Sequence, residues 1–176
     1  MINNQITIAR VTTTALTALH HISRKTFTEA FAHLNSPDNM EAYLADHLTI
    51  ESLKKELANA NSEFYFVMEA DEPIAYFKIN AGNAQTDLKE ASGLEIERIY
   101  VLQNHQGKKL GHHIITECIK IAKQKYKAYV WLGVCEHNVN AIRFYQKNNF
   151  VEFDKHNFKL GNDMQTDIMM RLELTS

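Results

Sequence analysis

The sequence predicts a mixed α/β fold in which helices cover both faces of a central sheet. Three observations carry that expectation. Helical apolar stripes occupy the first third of the chain, strand-like alternation takes over at Phe64, and a strand–helix–strand unit follows in the second half. Such a unit is where a parallel strand pair, and with it a ligand crevice, is expected. At 176 residues the chain suits one domain spanning residues 1–176, with no internal repeat, low-complexity tract or Pro/Gly/Ser-rich linker.

Residues 6–11 alternate enough to read as a short strand. Thr12, Thr13 and Thr14 are N-cap candidates for a helix bearing Leu16, Leu19, Ile22, Phe27 and Phe31. Asn35-Ser36-Pro37-Asp38 interrupts it and starts another, with Ser36 as cap and Pro37 at the first helical position. That helix carries Met40, Tyr43, Leu44 and Leu48. A third follows Thr49 with Leu53 and Leu57 one turn apart. Residues 64–68 and 74–79 read as strands joined through Asp71-Glu72-Pro73, and residues 81–92 as a polar loop. Residues 94–101 form a third long strand. Leu110, Ile114, Cys118, Ile121 and Ala122 then make a helical stripe. The apolar run Tyr129-Val130-Trp131-Leu132-Gly133-Val134 marks a strand covered on both faces. A short helix carries Ala141, Ile142, Phe144 and Tyr145, and the chain finishes as a hairpin turning at Leu160-Gly161-Asn162-Asp163.

Charge excludes several classes of partner. With 19 basic against 21 acidic side chains, the chain lacks the basic excess of a general nucleic-acid binder. It has no helix-turn-helix signature, no polybasic segment for an anionic membrane, and no apolar run near the ~20 residues of a membrane helix. Met1-Ile2-Asn3-Asn4-Gln5 does not read as a signal peptide. Cys118 and Cys135 read as two buried free thiols, so a reducing cytoplasm is expected.

Two segments carry chemistry. Gln106-Gly107-Lys108-Lys109-Leu110-Gly111-His112 joins a strand to an amphipathic helix. Exposed N–H groups at a helix start, with glycine allowing close approach and two lysines adding charge, make a phosphate site. A bland helix-entry turn has the same local pattern. The second segment runs from Asn138 to Tyr145, with Asn138 placed to cap a helix and Tyr145 seven residues on, near the same face. From this segment alone, Tyr145 could equally pack on Phe144.

Taken together and in this order, the two segments resemble the coenzyme A site of the GNAT acetyltransferases. The first is similar to the superfamily's Q/R-x-x-G-x-G/A loop and the second to its N-x-x-A-x-x-F-Y segment. Lys109 stands where that loop usually has its first glycine, and Asn149 where glycine usually precedes the aromatic Phe150. Asn is the non-glycine residue best suited to a left-handed turn. Further stretches resemble the PaiA-type polyamine acetyltransferases: Asn35-Ser36-Pro37-Asp38-Asn39-Met40, Leu94-Glu95-Ile96-Glu97-Arg98-Ile99-Tyr100, Trp131-Leu132-Gly133-Val134 with Glu136, and Gln165-Thr166-Asp167.

The resemblance implies a mostly antiparallel sheet with a splayed parallel pair, acetyl-CoA as cosubstrate, and acetyl transfer to spermidine or spermine. It implies that the backbone of Ile99, Tyr100 and Val101 pairs with the pantetheine arm, that amides from Gln106 to His112 hold the pyrophosphate, and that Asn138 bonds the pantetheine or neighbouring backbone. Tyr145 is the expected general acid. A neutral amine must be generated from an ammonium of pKa ~10.4, so a carboxylate is sought to help remove the proton. Glu97 is the first candidate and Glu136 the second, and either could instead bind a distal ammonium. Phe31, Tyr43, Asp46 and Asp167 are expected around the acceptor.

No metal is expected, because His20-His21 and His112-His113 are adjacent pairs that cannot form an i, i+4 clamp. The alternatives are acetylation of another amine, such as a peptide N-terminus, a lysine or an aminoglycoside, and a coenzyme A-binding regulatory module without turnover. An exposed C-terminal strand would allow a homodimer.

Overall fold

The computed structural model describes residues 5–175; Met1, Ile2, Asn3 and Asn4, part of the stretch read above for a leader, lie outside the described residues. Strand β1 (Ile6–Arg10) leads into helices α1 (Leu16–Phe31), α2 (Pro37–His47) and α3 (Ile50–Ala58). Strands β2 (Ser62–Glu69), β3 (Glu72–Ala81) and β4 (Gly93–Val101) follow. Then come α4 (Leu110–Gln124), β5 (Tyr129–Cys135), α5 (Val139–Lys147) and the hairpin of β6 (Val151–Leu160) and β7 (Asp163–Glu173).

Three helix starts follow their side-chain signals. Ser36 Oγ accepts from the Asn39 N–H at 3.2 Å, with Pro37 as first helical residue. Thr49 and Ser52 form a reciprocal capping box, each bond 3.0 Å. Asn138 Oδ1 accepts from the Ala141 N–H at 3.1 Å. Each cap contributes ~1 kcal/mol. The threonine triplet does not cap α1. Residues 13–15 form a 3₁₀ turn, Ala15 takes the N-cap position, and the Thr12 and Thr14 hydroxyls bond each other at 2.8 Å.

The strands form one seven-stranded sheet in the order β1-β2-β3-β4-β5-β7-β6, antiparallel throughout except for β4 and β5. Alternation along β3 distributes the core. Ala75, Phe77 and Ile79 pack with Leu110, Ile114 and Cys118 of α4, while Tyr76 faces the cluster built by Leu19, Ile22 and Phe27 of α1. Helices therefore cover both faces, as the stripes predict. Burying these apolar side chains stabilises the fold by roughly 1.5–3 kcal/mol each. Cys118 is buried, but Cys135 is only half-buried; both are free. No helix among the described residues is long and apolar enough to cross a membrane.

Two irregularities position the site. The parallel ladder of β4 and β5 holds for only three pairs, Gly93 with Tyr129, Leu94 with Val130 and Glu95 with Trp131. Beyond it the strands part, so from Ile96 onward β4 has no ladder partner on that side among the described residues. On its other side β4 carries a bulge: Arg98 pairs with Lys78 and Ile96 with Ile79, leaving Glu97 as the extra residue.

Candidate active site

The parting of β4 and β5 opens a cleft of about 570 Å³. Ile99 and Tyr100 line it from β4, Asn138 from the cap of α5, Tyr145 from α5 itself, and Gln106 from the turn before α4. Gln106 Nε2 also donates to the Val101 carbonyl at 3.3 Å, tying the end of β4 to that turn. Segments distant in sequence thus meet at one opening.

The turn before α4 lies on the surface. Residues 106–109 are exposed, while the Leu110 side chain is 6% exposed and anchors the helix start. The first amide of α4 to find an intramolecular acceptor is that of His113, which donates to the Lys109 carbonyl at 3.1 Å. Among the described residues, the N–H groups of Gly107, Lys108, Lys109, Leu110, Gly111 and His112 have none. Free amides at the positive end of a helix dipole suit an anion. Gly107 adopts φ +79°, and a Cβ there would meet nothing within 4 Å, so the approach is open. Gly111 serves packing: a Cβ would lie 2.9 Å from Phe144 Cζ, so its absence lets α5 close on α4. Lys109 holds φ +63°, the left-handed conformation that explains why glycine is favoured at this position. A lysine bears ~1–2 kcal/mol of strain there. His112 is exposed, with Nδ1 2.7 Å from Asn148 Oδ1. Asn149 adopts φ +68°, the left-handed turn for which asparagine is suited.

Tyr145 both packs and lines the cleft. Its ring meets Phe144 and Phe150 edge-on at 5.2 and 5.8 Å. The residue is 8% exposed, and burial, with no hydrogen bond contributing, sets the state of its hydroxyl. Burial pushes the phenol well above its ordinary range, so it stays protonated at neutral pH.

Glu97 reaches the cleft from the bulge, but its carboxylate is already engaged. Oε2 accepts from Asn80 Nδ2 at 2.6 Å and pairs with Lys78 Nζ, and Oε1 lies 3.4 Å from Arg98. Lys78 and Arg98 also contact Glu56 Oε2 at 2.6 and 3.0 Å. These two contacts are ion pairs outside directed hydrogen-bond geometry, whereas Arg98 donates properly to Glu56 Oε1 at 3.1 Å. Two acids and two bases make a neutral quartet. Burial alone would raise the Glu97 carboxyl, but Arg98 and Lys78 outweigh it and hold it below the ordinary range. Neighbouring Glu95 is 3% exposed and accepts from the Thr86 N–H and Asn80 Nδ2, both at 2.9 Å, and from the Thr86 hydroxyl; burial raises its carboxyl.

Tyr43 stacks on Phe27 at 4.3 Å and lines the cleft beside Phe31. Asp46 is exposed on α2 and does not line the cleft, nor does Glu136, which lies 3.8 Å from His137. Residues not anticipated from sequence also line it, among them Tyr76, Asp87, Gly133 and His156. The Tyr76 hydroxyl is buried without a partner. His156 Nε2 lies 3.5 Å from Asp167 and Nδ1 3.1 Å from Asp87. Burial pushes the Asp167 carboxyl up, with His156 opposing. Asp87 belongs to the segment read as polar loop. That loop packs inward: Gln85 is 1% exposed and accepts from Trp131 Nε1 at 2.7 Å. A tryptophan on a buried strand signals that something must satisfy its N–H, but no local pattern says which residue does.

A sheet that opens between two strands, with free amides at a helix start beside the opening, defines a binding fold for a ligand with an anionic tail and an extended arm. Residues 16–150 match the acetyltransferase (GNAT) family, and the chain belongs to it. A relative from Lactobacillus delbrueckii subsp. lactis, an uncharacterized N-acetyltransferase in the pepI 3′ region, is 37% identical over 153 residues, covering 87% of this chain and 88% of its own. The fold is similar to that of the PaiA N-acetyltransferase of Thermoplasma acidophilum crystallised with coenzyme A (TM-score 0.79, 21% identity, 97% of this chain and 99% of that one). It is also similar to the ribosomal-protein-S18-alanine N-acetyltransferase of Escherichia coli (TM-score 0.73, 17% identity, 98% and 96%). The protein is an N-acetyltransferase, with acetyl-CoA as its acyl donor.

Proposed function

We propose that this enzyme acetylates a primary amine of the polyamine type, spermidine or spermine, by direct attack in a ternary complex. The observation that carries the reading is the lining of the cleft, which brings carboxylates of Glu97, Asp87 and Asp167 together with the rings of Phe31, Tyr43 and Tyr100. A chain of cations joined by aliphatic stems fits such a lining. The fold likeness to a PaiA N-acetyltransferase agrees with it.

Acetyl-CoA supplies an activated acyl carbon and a thiolate leaving group. The free amides from Gly107 to His112, with the Gln106 side chain at the cleft mouth, hold the pyrophosphate. The unladdered edge of β4 at Ile99, Tyr100 and Val101 pairs with the pantetheine arm, and one N–H there polarises the thioester carbonyl. Asn138 spends its carbonyl oxygen on the α5 cap, leaving its amide nitrogen for the arm. Tyr145, kept protonated by burial, gives its proton late to the departing sulfur. A phenol is a weaker acid than a thiol (pKa ~10 against ~8.5), so the transfer accompanies bond cleavage. Asp87 and Asp167 contribute negative potential toward the acceptor ammonium, whereas Glu97 is neutralised within its quartet. Asp46 and Glu136 stand outside the cleft and act at most on the far end of a long acceptor.

A panel of amines scored by thiol release tests the reading: spermidine and spermine should give higher kcat/KM than diaminopropane. Faster release with an alanine-initiated peptide would favour protein N-terminal acetylation, in keeping with the fold likeness to the S18-alanine enzyme. Saturable acetyl-CoA binding with no acceleration by any amine would reduce the protein to a coenzyme-binding module.

A further inference from the structure

Glu97 is poorly placed to take a proton. Its carboxylate is paired with Lys78 and Arg98 and accepts from Asn80, and the cations that keep it ionised also make it a feeble base. The cleft holds a better acceptor. Of the nine histidines in the chain, His156 is the one that lines it among the described residues, and imidazole is the commonest proton-transfer group in enzymes.

Its position is set by the sheet. The last β4–β5 pair is Glu95 with Trp131, and Gly133 follows two residues later on β5, where the strands have parted. A Cβ on Gly133 would lie 3.3 Å from both His156 Cε1 and Asp167 Oδ2. The imidazole edge and the carboxylate therefore sit directly over the main chain that bounds the gap, and glycine keeps that floor clear. Nδ1 of His156 is buried and makes no directed hydrogen bond, although Asp87 Oδ2 is 3.1 Å away. The ring is held between two carboxylates, Asp87 on the buried Nδ1 side and Asp167 on the Nε2 side. Asp87 from the loop after β3 and Asp167 from β7 face the ring, and the titratable groups that line the same cleft include Lys159 of β6, Glu95 and Glu97 of β4, and Cys135 of β5.

We propose that His156 accepts the proton of the acceptor ammonium, with Asp87 and Asp167 orienting the imidazole and drawing the cation to it. The inference rests on the acetyl-transfer reading above. The ammonium nitrogen gives one proton to His156, which releases it to water at the cleft mouth. The freed lone pair forms the C–N bond as the C–S bond breaks. The nitrogen's second proton leaves in the same passage and balances the one that Tyr145 delivers to sulfur. One proton thus appears in solution for each acetyl group moved. His156 touches the substrate and is catalytic; Asp87 and Asp167 are positioning residues.

The test is the pH dependence of kcat/KM for spermidine in wild type, His156→Gln and Glu97→Gln. His156→Gln should lose at least ~100-fold and its acid limb should flatten, with imidazole in the buffer restoring part of the rate. Its coenzyme A affinity by calorimetry should stay within about twofold, because the ring lies on the acceptor side. In wild type, the His156 Cε1–H resonance should shift when spermidine is added to the coenzyme A complex. Asp167→Asn should lower kcat/KM for spermidine without changing coenzyme affinity. A His156→Gln enzyme with wild-type rate and acid limb, or an unmoved resonance, overturns the proposal; so does loss of the acid limb in Glu97→Gln alone. Wild type that releases no thiol in response to any amine fails the acceptor reading itself, a distinct outcome.

Discussion

Tyr145→Phe separates catalysis from packing at one atom. The ring contributes to the core through Phe144 and Phe150, and phenylalanine keeps those contacts. Burial, and no hydrogen bond, sets the state of the hydroxyl, so deleting it leaves no polar group unpaired. Stability should therefore change by no more than about 0.5 kcal/mol, a shift of roughly 1–2 °C in Tm for a chain of this size. Turnover should behave oppositely. A positioned general acid contributes ~10²–10⁴-fold, and the low end of that range corresponds to about 2.7 kcal/mol of barrier. The assay is thiol release at saturating spermidine, alongside calorimetry for coenzyme A and a thermal melt. Unchanged turnover would remove Tyr145 from the chemistry. A melt lowered by many degrees with coenzyme binding lost would show that the hydroxyl is structural, and the argument from its free state would be refuted.

The two glycines flanking Lys109 should fail for different reasons. Gly111→Ala puts a methyl 2.9 Å from Phe144 and should cost ~1–3 kcal/mol through overpacking, recovered in the melt by adding Phe144→Leu. Gly107→Ala meets no atom but must hold φ +79°; it should cost ~1–2 kcal/mol and weaken coenzyme A binding by calorimetry. Glu97→Gln leaves Lys78 and Arg98 with one carboxylate between them and should destabilise by roughly 3 kcal/mol, the low end for a broken buried pair. Because the folded pKa of Glu97 is depressed, its contribution is complete above the ordinary value of 4.5 and lost as pH falls below it. The stability difference between wild type and Glu97→Gln, followed by urea denaturation, should therefore shrink below pH 4.5.

Local chemistry was legible in the residues themselves. Ser36, Thr49 and Asn138 announce helix starts because their side-chain oxygens bond an amide only a few residues away. Asn149 announces a left-handed turn for a reason confined to its own backbone. The apolar run through Trp131 and Leu132 reports a strand covered on both faces, and the glycine-bearing turn before α4 reports amides left free. The threonines at 12–14 show the limit of such signals, since two hydroxyls that satisfy each other cap nothing. Everything that required a partner from elsewhere in the chain was decided by tertiary structure. The bulge that turns Glu97 out of the β3–β4 ladder depends on register, its ion pairing depends on Lys78 from a different strand, and the charge balance of the cluster depends on Glu56 from a helix. Asp87 stood in a segment read as polar filler, and His156 on an edge strand without any motif. They meet because β7 inserts between β5 and β6, and because Gly133, unremarkable in an apolar run, has no side chain to fill the space that the imidazole and the Asp167 carboxylate occupy. Periodicity and capping report what a backbone prefers over a few residues, whereas a proton-transfer site is made by strands that choose neighbours far away in sequence.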